Sequence, residues 1–353
     1  MTARASSGLA KTYGTTILFQ HNGLPRTPFY VQQHLKGLYE NLGVPSSISG
    51  QLADLRCRYS KKIKSALRES GNYLPLNESH RRFGAELSKK LGEVLPEFGP
   101  YTTRFSYLYD VPSIATEIQQ IAERGADRLI VTSLYPFEMP HLVNPMKKAT
   151  TSALNKSFSK IENDKSGRVM YNAKGRPVSF DFERIDAVGS HPSFEQYWSE
   201  RILNKIGKED ALIFAVPMPS LLNQHKFFET VHESADRIML KIHSRFKRAV
   251  SFRVAFYPMW NHSLLSYPLS KAVHKQISML ACFERHDPLV VPFGSFFKDF
   301  DTEYMLPTNY PEAKILRPEE SDSNLVHSFV ELLKTRILMD KYQADKVPLD
   351  PLF

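Results

Sequence analysis

The sequence predicts an α/β fold built from parallel sheets, and three observations support this prediction. Short apolar runs recur along the 353 residues, helical patterns separate them, and 42% of the residues are hydrophobic. Continuous apolar strands are typical of parallel sheets that helices cover on both faces. The alternation of such strands with helices favours βαβ units. A chain of this length suits two domains better than one.

The predicted strands are short apolar or β-branched runs bounded by turn residues. They cover residues 16–20, 104–109, 128–134, 211–217, 251–257 and 289–296. The predicted helices lie between and after these strands. They cover residues 28–41, 79–95, 113–124, 192–206, 226–245, 269–282 and 324–339. The first helix is expected to begin at Pro28, because proline is favoured at the first helical position.

Two segments resemble each other and suggest two similar halves. Residues 127–137 and 287–293 each begin with Asp, continue as an apolar strand and reach a Pro-Phe pair. The stretch 163–184 is the most loop-like interior segment, and its core at 169–178 predicts an exposed hairpin. We place the domain boundary near this stretch.

The predicted organisation is therefore two Rossmann-like domains after a short leading segment. The leading segment, at 1–14, is flexible or targeting-like; the first domain spans 15–180 and includes the C-terminal helix at 324–345; the second spans 181–323. The C-terminal helix is expected to pack back on the first domain.

The charge balance points to anionic partners. The chain has 46 Lys and Arg against 37 Asp and Glu, a formal charge of +9. Such a charge favours nucleic acid, an anionic membrane surface or an acidic protein. The basic residues occur in scattered pairs and no RNP-like aromatic motif is present, which argues against nucleic acid. No apolar stretch approaches the roughly 18 to 20 residues needed to span a bilayer.

Two local features bear on the compartment. Cys57 and Cys282 are the two cysteines and neither lies in a CxxC pair, which excludes a disulfide framework and indicates a reducing compartment. The first acidic residue is Glu40, and the start is rich in Ser, Thr and Ala. Such a start is typical of a mitochondrial targeting segment, and a short flexible terminus is the alternative.

The common catalytic and nucleotide-binding motifs do not indicate a function for this sequence. A series of less common short motifs, read in order along the chain, does. The sequence contains no GxGxxG, P-loop, GxSxG or HExxH motif. The informative motifs are HNGLPRTP at 21–28, VQQHLKGLY at 31–39, PLN at 75–77, YLYDVPSI at 107–114, GADRLIV followed by LYP at 125–136, His191-Pro192 before a helix, and the run at 317–330. Over residues 15–345 this series resembles ferrochelatases, which insert ferrous iron into protoporphyrin. The resemblance implies two Rossmann-like, chelatase-type domains.

The resemblance also implies a histidine base, in the family's SAHGLP motif, at a strand end. Here that motif aligns with residues 215–220, and Pro217 stands at the histidine position. Proline has no titratable group and no N–H, so it cannot accept a proton through its side chain.

A carboxylate in the family's SDHIET motif is the second implied group. That motif aligns with residues 297–302, where Asp299 stands at the histidine position and Asp301 at the glutamate position. Lys298 brings a positive charge beside them, which would repel an entering cation.

A porphyrin slot is the third implied feature. The family's QSRVGPxxWLxP strand aligns with residues 257–268, where only the final proline and the apolar character remain. A vestigial slot would be lined by Met218, Trp260, Leu264 and Phe297.

We interpret the chain as a catalytically inactive ferrochelatase-like protein that serves as a structural or accessory subunit of a larger assembly. By analogy with the family, the expected place is mitochondrial, on the matrix side of the inner membrane, in ATP synthase, a respiratory complex or a mitoribosome. This hypothesis predicts no catalytic residue, no cofactor and no metal; its partners are other protein subunits and, peripherally, an anionic membrane.

The alternative is a porphyrin- or haem-binding protein, or an active ferrochelatase with relocated catalytic residues. His21 and His262 are the candidates for a relocated base, since either can lie at a strand's carboxyl end. Both histidines are expected to be surface or loop residues.

Overall fold

The computed structural model describes residues 14–23, 27–41, 43–60, 64, 65, 68, 76–164, 167–172, 177–179, 181–207, 211–217, 225–246, 250–257, 273–281, 288–311, 313–319 and 322–344. The strands are β1 (Thr15–His21), β2 (Tyr101–Tyr107), β3 (Arg128–Ser133), β4 (Phe158–Asp164), β5 (Gly167–Asn172), β6 (Pro177–Ser179), β7 (Asp181–Ile185), β8 (Ala211–Pro217), β9 (Phe252–Tyr257), β10 (Pro288–Pro292) and β11 (Lys314–Ile315). The α-helices are α1 (Pro28–Asn41), α2 (Ser46–Tyr59), α3 (Leu76–Val94), α4 (Ile114–Arg124), α5 (Pro140–Ser157), α6 (Pro192–Leu203), α7 (His225–Phe246), α8 (Val273–Ala281), α9 (Leu306–Asn309) and α10 (Ser323–Ala344).

Two parallel four-stranded sheets confirm the predicted α/β fold. The first sheet has the order β2-β1-β3-β7 and the second the order β11-β10-β8-β9. Read from opposite edges, the two orders are equivalent, with β1 matching β8 and β3 matching β10. The two segments that resemble each other in the sequence contain β3 and β10. They therefore occupy equivalent places in two similar sheets.

The central strands β1 and β8 explain why continuous apolar runs predicted parallel sheets. Every residue of both strands is buried. Each strand has a parallel neighbour on both sides, β2 and β3 for β1, and β9 and β10 for β8. A strand flanked by two others and covered on both faces leaves no position for an exposed polar side chain.

Local signals set several helix boundaries. Helix α1 has the predicted bounds. Ser113 caps α4, since its side chain accepts a hydrogen bond from the Thr116 N–H, and Gly125 ends the helix with φ 94°. The sequence prediction misses α2 and α5. Helix α5 carries Pro145 in its interior, and the residues that α2 buries, Ser49 and Ala53, are small.

The segment 163–184 is mostly strand rather than loop. Strand β4 pairs antiparallel with β5, and β5 with β6, in a separate three-stranded sheet. The antiparallel β5–β6 pair confirms the hairpin predicted within residues 169–178. Strand β7 then pairs with β3. The first sheet thus extends to Ile185, past the boundary predicted after residue 180.

A cluster of aromatic rings joins the two sheets. Phe329 of α10 lies 5.4 Å from Phe19 of β1 and 5.2 Å from Phe83 of α3, measured between ring centroids. The same ring lies 4.8 Å from Phe194 of α6 and 5.8 Å from Phe296, which follows β10. Phe329 therefore contacts aromatic residues of both halves at once.

Helix α10 packs on both halves rather than on the first alone. It contacts α3, which precedes β2, and α6, which precedes β8. Two reciprocal hydrogen bonds fix its crossing with α6: Ser193 Oγ donates to Ser328 O, and Ser328 Oγ donates to Ser193 O, each at 3.0 Å. Buried Arg201 of α6 holds the segment before α10 by donating to the carbonyl of Arg317.

Among the helices within the described ranges, none combines the length and the apolar character needed to cross a membrane.

We expect Phe329→Ala to destabilise the whole chain. Truncation of a fully buried Phe usually costs about 3–5 kcal/mol of unfolding free energy, because the cavity is only partly refilled. Urea unfolding followed by circular dichroism measures the change. Met339→Ala on the same helix is the control, because Met339 is 55% exposed, and it should change stability by less than about 0.5 kcal/mol. Equal effects of the two substitutions would contradict the role given to Phe329.

Candidate functional site

The candidate site lies where the carboxyl ends of the two sheets face each other. Open α/β sheets bind their ligands at this edge. Strand β1 ends at His21, β8 at Pro217 and β9 at Tyr257, and Tyr135 follows β3. Burial and, in addition, the negative charges of Asp299 and Asp301 raise the pKa values of both Tyr135 and Tyr257, which belong to different sheets. These groups therefore share one region.

His21 is a buried residue of this region and not the surface or loop residue expected from the sequence. It is the last residue of β1 and is 3% exposed. Its ring stacks on Tyr135 at 4.8 Å, and its Nδ1 accepts a hydrogen bond from the Gly23 N–H. Because Nδ1 accepts, the neutral imidazole carries its proton on Nε2. Burial lowers the pKa of His21 to about 3.

A second buried histidine, His80 of α3, lies beside His21. The two ring centroids are 5.8 Å apart. His80 stacks on Phe105, and its Nδ1 is 3.1 Å from the hydroxyl of Tyr107. Among the residues that the structure describes, its Nε2 finds no hydrogen-bond partner. Burial, reinforced by the neighbouring His21, holds the pKa of His80 well below its usual value.

Asn22 connects three elements through directed hydrogen bonds. The Tyr135 hydroxyl donates to Asn22 Oδ1, and the Asn22 backbone N–H donates to Tyr135 Oη at 3.3 Å. The Asn22 amide nitrogen is 3.4 Å from Nε2 of His34 on α1. Gly23 permits this packing, because its φ is +140° and a Cβ there would lie 3.0 Å from the His34 ring. The turn after β1 is thereby fixed to α1 and to the end of β3.

Pro217 ends β8 as a tightly packed residue. It pairs with Tyr257 at the end of β9, and it is buried. A Cβ added to Gly294 would lie 2.2 Å from Cδ of Pro217. The proline ring thus rests directly on the backbone of the turn after β10, and the absence of a side chain at Gly294 makes that contact possible.

Asp299 acts as a helix cap. Its carboxylate accepts a hydrogen bond from the Thr302 N–H at 2.8 Å, and its own N–H donates to Thr302 Oγ1 at 3.0 Å. This reciprocal pair is the capping-box arrangement at the start of the π-helical turn Asp301–Met305. Desolvation raises the pKa of Asp299, and the bond from Thr302 opposes part of that rise.

Asp301 is the more deeply buried of the two carboxylates, with 4% exposure. Its charge acts on Tyr257 and Tyr135, and burial is the main reason that the pKa values of both phenols are raised well above their usual value. Both tyrosines therefore stay protonated and can donate hydrogen bonds. Lys298, the neighbouring cation, is partly exposed.

Of the four residues predicted to line a porphyrin slot, Phe297 lies in the described part of the chain. It is 4% exposed and packs edge-on against His80 at 4.9 Å and Phe83 at 5.0 Å. Its place is therefore in the core shared by the two halves. Met218, Trp260 and Leu264 lie outside the described residues, as does His262.

The site contains three residues whose importance the sequence did not reveal. Tyr135 belongs to the LYP motif, so its position was marked, but its bonds to Asn22 were not foreseeable. Tyr257 is the last residue of a predicted strand. His80 lies in a predicted helix with no motif around it, and tertiary packing alone brings it to His21. Within the described ranges, no three His, Cys, Asp or Glu side chains group as a metal site would require.

We expect Gly294→Ala to destabilise the chain, because the new methyl group would overlap the Pro217 ring. Overpacking of this kind costs about 1–3 kcal/mol. Thermal or urea unfolding measures the loss, and the added substitution Pro217→Ala should recover most of it by removing Cδ. Gly92→Ala on α3 is the matched control: its Cβ would meet nothing within 4 Å, and it should stabilise by about 0.5–1 kcal/mol.

We expect stability to fall in acid because of His21 and His80. Below about pH 6.5 the unfolded chain binds protons on both residues while the folded chain does not, so acid favours unfolding. One such histidine contributes a slope of up to about 1.4 kcal/mol per pH unit. His80→Phe should therefore reduce the loss of stability measured by urea unfolding between about pH 6 and pH 4.5. An unchanged slope would show that His80 takes up a proton in the folded state.

Comparisons with known proteins find similarity to ferrochelatases and to chelatase-like structures. The chain is 22% identical over 349 residues to the mitochondrial ferrochelatase of Bos taurus, covering 94% of this chain and 76% of that one. Among solved structures, a Deinococcus radiodurans multi-domain protein with structural similarity to chelatases has a TM-score of 0.45 at 10% identity, covering 91% of this chain. The present chain spans about half of that protein, 54%. SirB from Bacillus subtilis with Fe3+ has a TM-score of 0.44 at 11% identity, covering 91% of this chain and 94% of that one.

A family model that matches most of the sequence establishes the family of this chain. The ferrochelatase family model matches residues 15–260, which is well over half of the chain. The resemblance deduced from the order of short motifs is confirmed: this chain belongs to the ferrochelatase family.

Proposed function

We propose that this member of the ferrochelatase family does not insert metal into porphyrin and serves as a structural or accessory subunit of a larger mitochondrial assembly. ATP synthase, a respiratory complex and a mitoribosome are the candidate hosts. The observation that carries the first half of the proposal is Pro217, at the strand end where the family's histidine is expected.

Pro217 packs tightly against the residues around it. The ring fills the space above Gly294, and the strand pairs in register with β9 up to this residue. Metal insertion requires that two pyrrole protons be taken up by a base within hydrogen-bond reach. A proline side chain at this position supplies no such base.

The neighbouring acidic positions support the same conclusion. Asp299 is engaged in the cap with Thr302, which is a structural use of a carboxylate. Asp301 remains as a buried carboxylate beside Tyr257. The family's two motifs imply a histidine base and a carboxylate. On this proposal the chain keeps the carboxylate and lacks the base.

The buried histidines do not replace the missing base. A general base works best when its pKa lies near the working pH. The pKa of His21 is lowered to about 3, and that of His80 is also well below its usual value. Both imidazoles would bind a proton from a pyrrole nitrogen only weakly at neutral pH.

Two features support a mitochondrial subunit. The similar protein from Bos taurus is a mitochondrial ferrochelatase. The net charge of +9 suits contact with acidic subunits and with the anionic matrix-side surface of the inner membrane. The proposal requires neither a cofactor nor a resident metal.

The second candidate function is porphyrin or haem binding, with or without chemistry by relocated residues. The specific observation in its favour is His21, which lies at the carboxyl end of a central strand with Nε2–H as a donor. On this alternative, Phe297 together with Met218, Trp260 and Leu264 would hold the flat ring.

Two measurements test the proposal. The purified chain, mixed with protoporphyrin and ferrous iron under anaerobic conditions, should form haem no faster than the buffer alone, while the bovine relative serves as the active control. The endogenously tagged chain, extracted from mitochondria in mild detergent, should migrate in a megadalton-scale assembly with fixed stoichiometry.

The opposite results separate the alternatives. Haem formation that His21→Phe abolishes would establish a relocated active site. A change in the Soret band on titration with protoporphyrin or haem, lost in the same variant, would establish binding without chemistry. Migration near the chain's own 40.5 kDa would overturn the subunit role.

A further inference from the structure

Helix α2 buries small side chains and exposes large apolar ones. The residues it buries are small, Ser49 and Ala53. Its large apolar residues point outward instead: Ile48 is 46% exposed, Leu55 50% and Tyr59 76%. A helix that only packs on its own core normally buries its large apolar residues, because that burial supplies most of its stability.

The outward residues form a narrow stripe with a regular spacing. Together with half-buried Leu52, Ile48, Leu55 and Tyr59 follow each other at intervals of four, three and four residues. This is the spacing of the d and a positions over two heptads, the seam through which one helix packs against another. At about 1.5 Å per residue, the 14-residue helix offers a seam of about 21 Å.

Basic residues flank the stripe and continue beyond it. In the heptad assignment, half-buried Arg56 occupies an e position and exposed Arg58 a g position, the places that select a coiled-coil partner by charge. Arg58 also forms an ion pair with Asp54 of the same helix, with 2.8 Å between Nε and Oδ2. Residues 54–64 contain five basic residues and one acidic residue, Asp54. The complementary surface is therefore a helix with an apolar seam and acidic flanks.

We propose that the outward face of α2 docks an acidic amphipathic helix of another subunit. The inference rests on the proposed subunit role and specifies its contact surface. Two other occupants fit less well. A second copy of the chain would oppose its own Arg56 and Arg58 to like charges. A lipid surface favours a broad apolar face, whereas Gln51 and Asp54 lie close to the narrow stripe.

The test compares the introduction of two negative charges on the outward face of α2 with the same change on other helices. Leu55→Glu with Tyr59→Glu is the experimental pair. Leu240→Glu with Met339→Glu is the matched control, because both residues are exposed apolar side chains on other helices, 69% and 55%. Each pair is introduced into the full tagged chain, and the unfolding midpoint of the purified protein checks that the fold is intact.

We expect the α2 variant to be at least tenfold depleted from the assembly in mild-detergent extracts, while the control stays incorporated. A photo-crosslinker in place of Tyr59 should join one partner segment whose sequence has apolar heptad spacing and flanking Asp or Glu. Both results together support the proposal.

Four outcomes would overturn it. Retention of the α2 variant in the assembly leaves the subunit role intact and removes α2 as its contact. Loss of a homodimer in that variant assigns the face to a second copy. Loss of flotation with phosphatidylcholine–cardiolipin vesicles, while the assembly persists, assigns it to lipid. A wild-type chain that migrates at 40.5 kDa removes the proposed function and this contact together.

Discussion

The packing of the Phe329 ring between the two halves is the interaction on which the rest of the structure depends. Phe19 and Phe83 approach it from the first sheet and its helix, and Phe194 and Phe296 from the second. Each sheet alone would expose apolar surface toward the other, and removal of that surface from water is the main favourable contribution to folding. The two halves therefore share one continuous core, and their carboxyl edges are held opposite each other.

This shared core also determines the chemistry available at the site. Because the two edges meet away from water, burial keeps the histidines and tyrosines there in their neutral forms, beside the carboxylates of Asp299 and Asp301. Desolvation is the main cause of the lowered pKa values of His21 and His80. It is also the main cause of the raised pKa values of Tyr135 and Tyr257. The two tyrosines of this region therefore stay protonated and can donate hydrogen bonds, and its two histidines stay neutral at neutral pH.

The sequence predicted those features of the structure that leave a pattern in neighbouring residues, and it missed those that depend on tertiary contacts. Central strands were predictable because burial on both faces requires an unbroken apolar run. The alignment of Pro217 and Asp299 with the family's histidine positions stays a prediction. Helix α2 was missed because its buried residues, Ser49 and Ala53, are small and do not mark a core-facing side in the sequence. His80 was missed because nothing near it in the sequence indicates that α3 brings it to β1. Such contacts depend on tertiary packing and leave no local pattern.

The position of α10 in the chain has a consequence for how the protein is made. Helix α10 follows in sequence every residue on which it packs. During synthesis from the amino end, both sheets are therefore complete before the helix that joins them emerges. Until then the facing aromatic surfaces remain exposed to water and able to associate with other chains. The docking of α10 is the step that buries them.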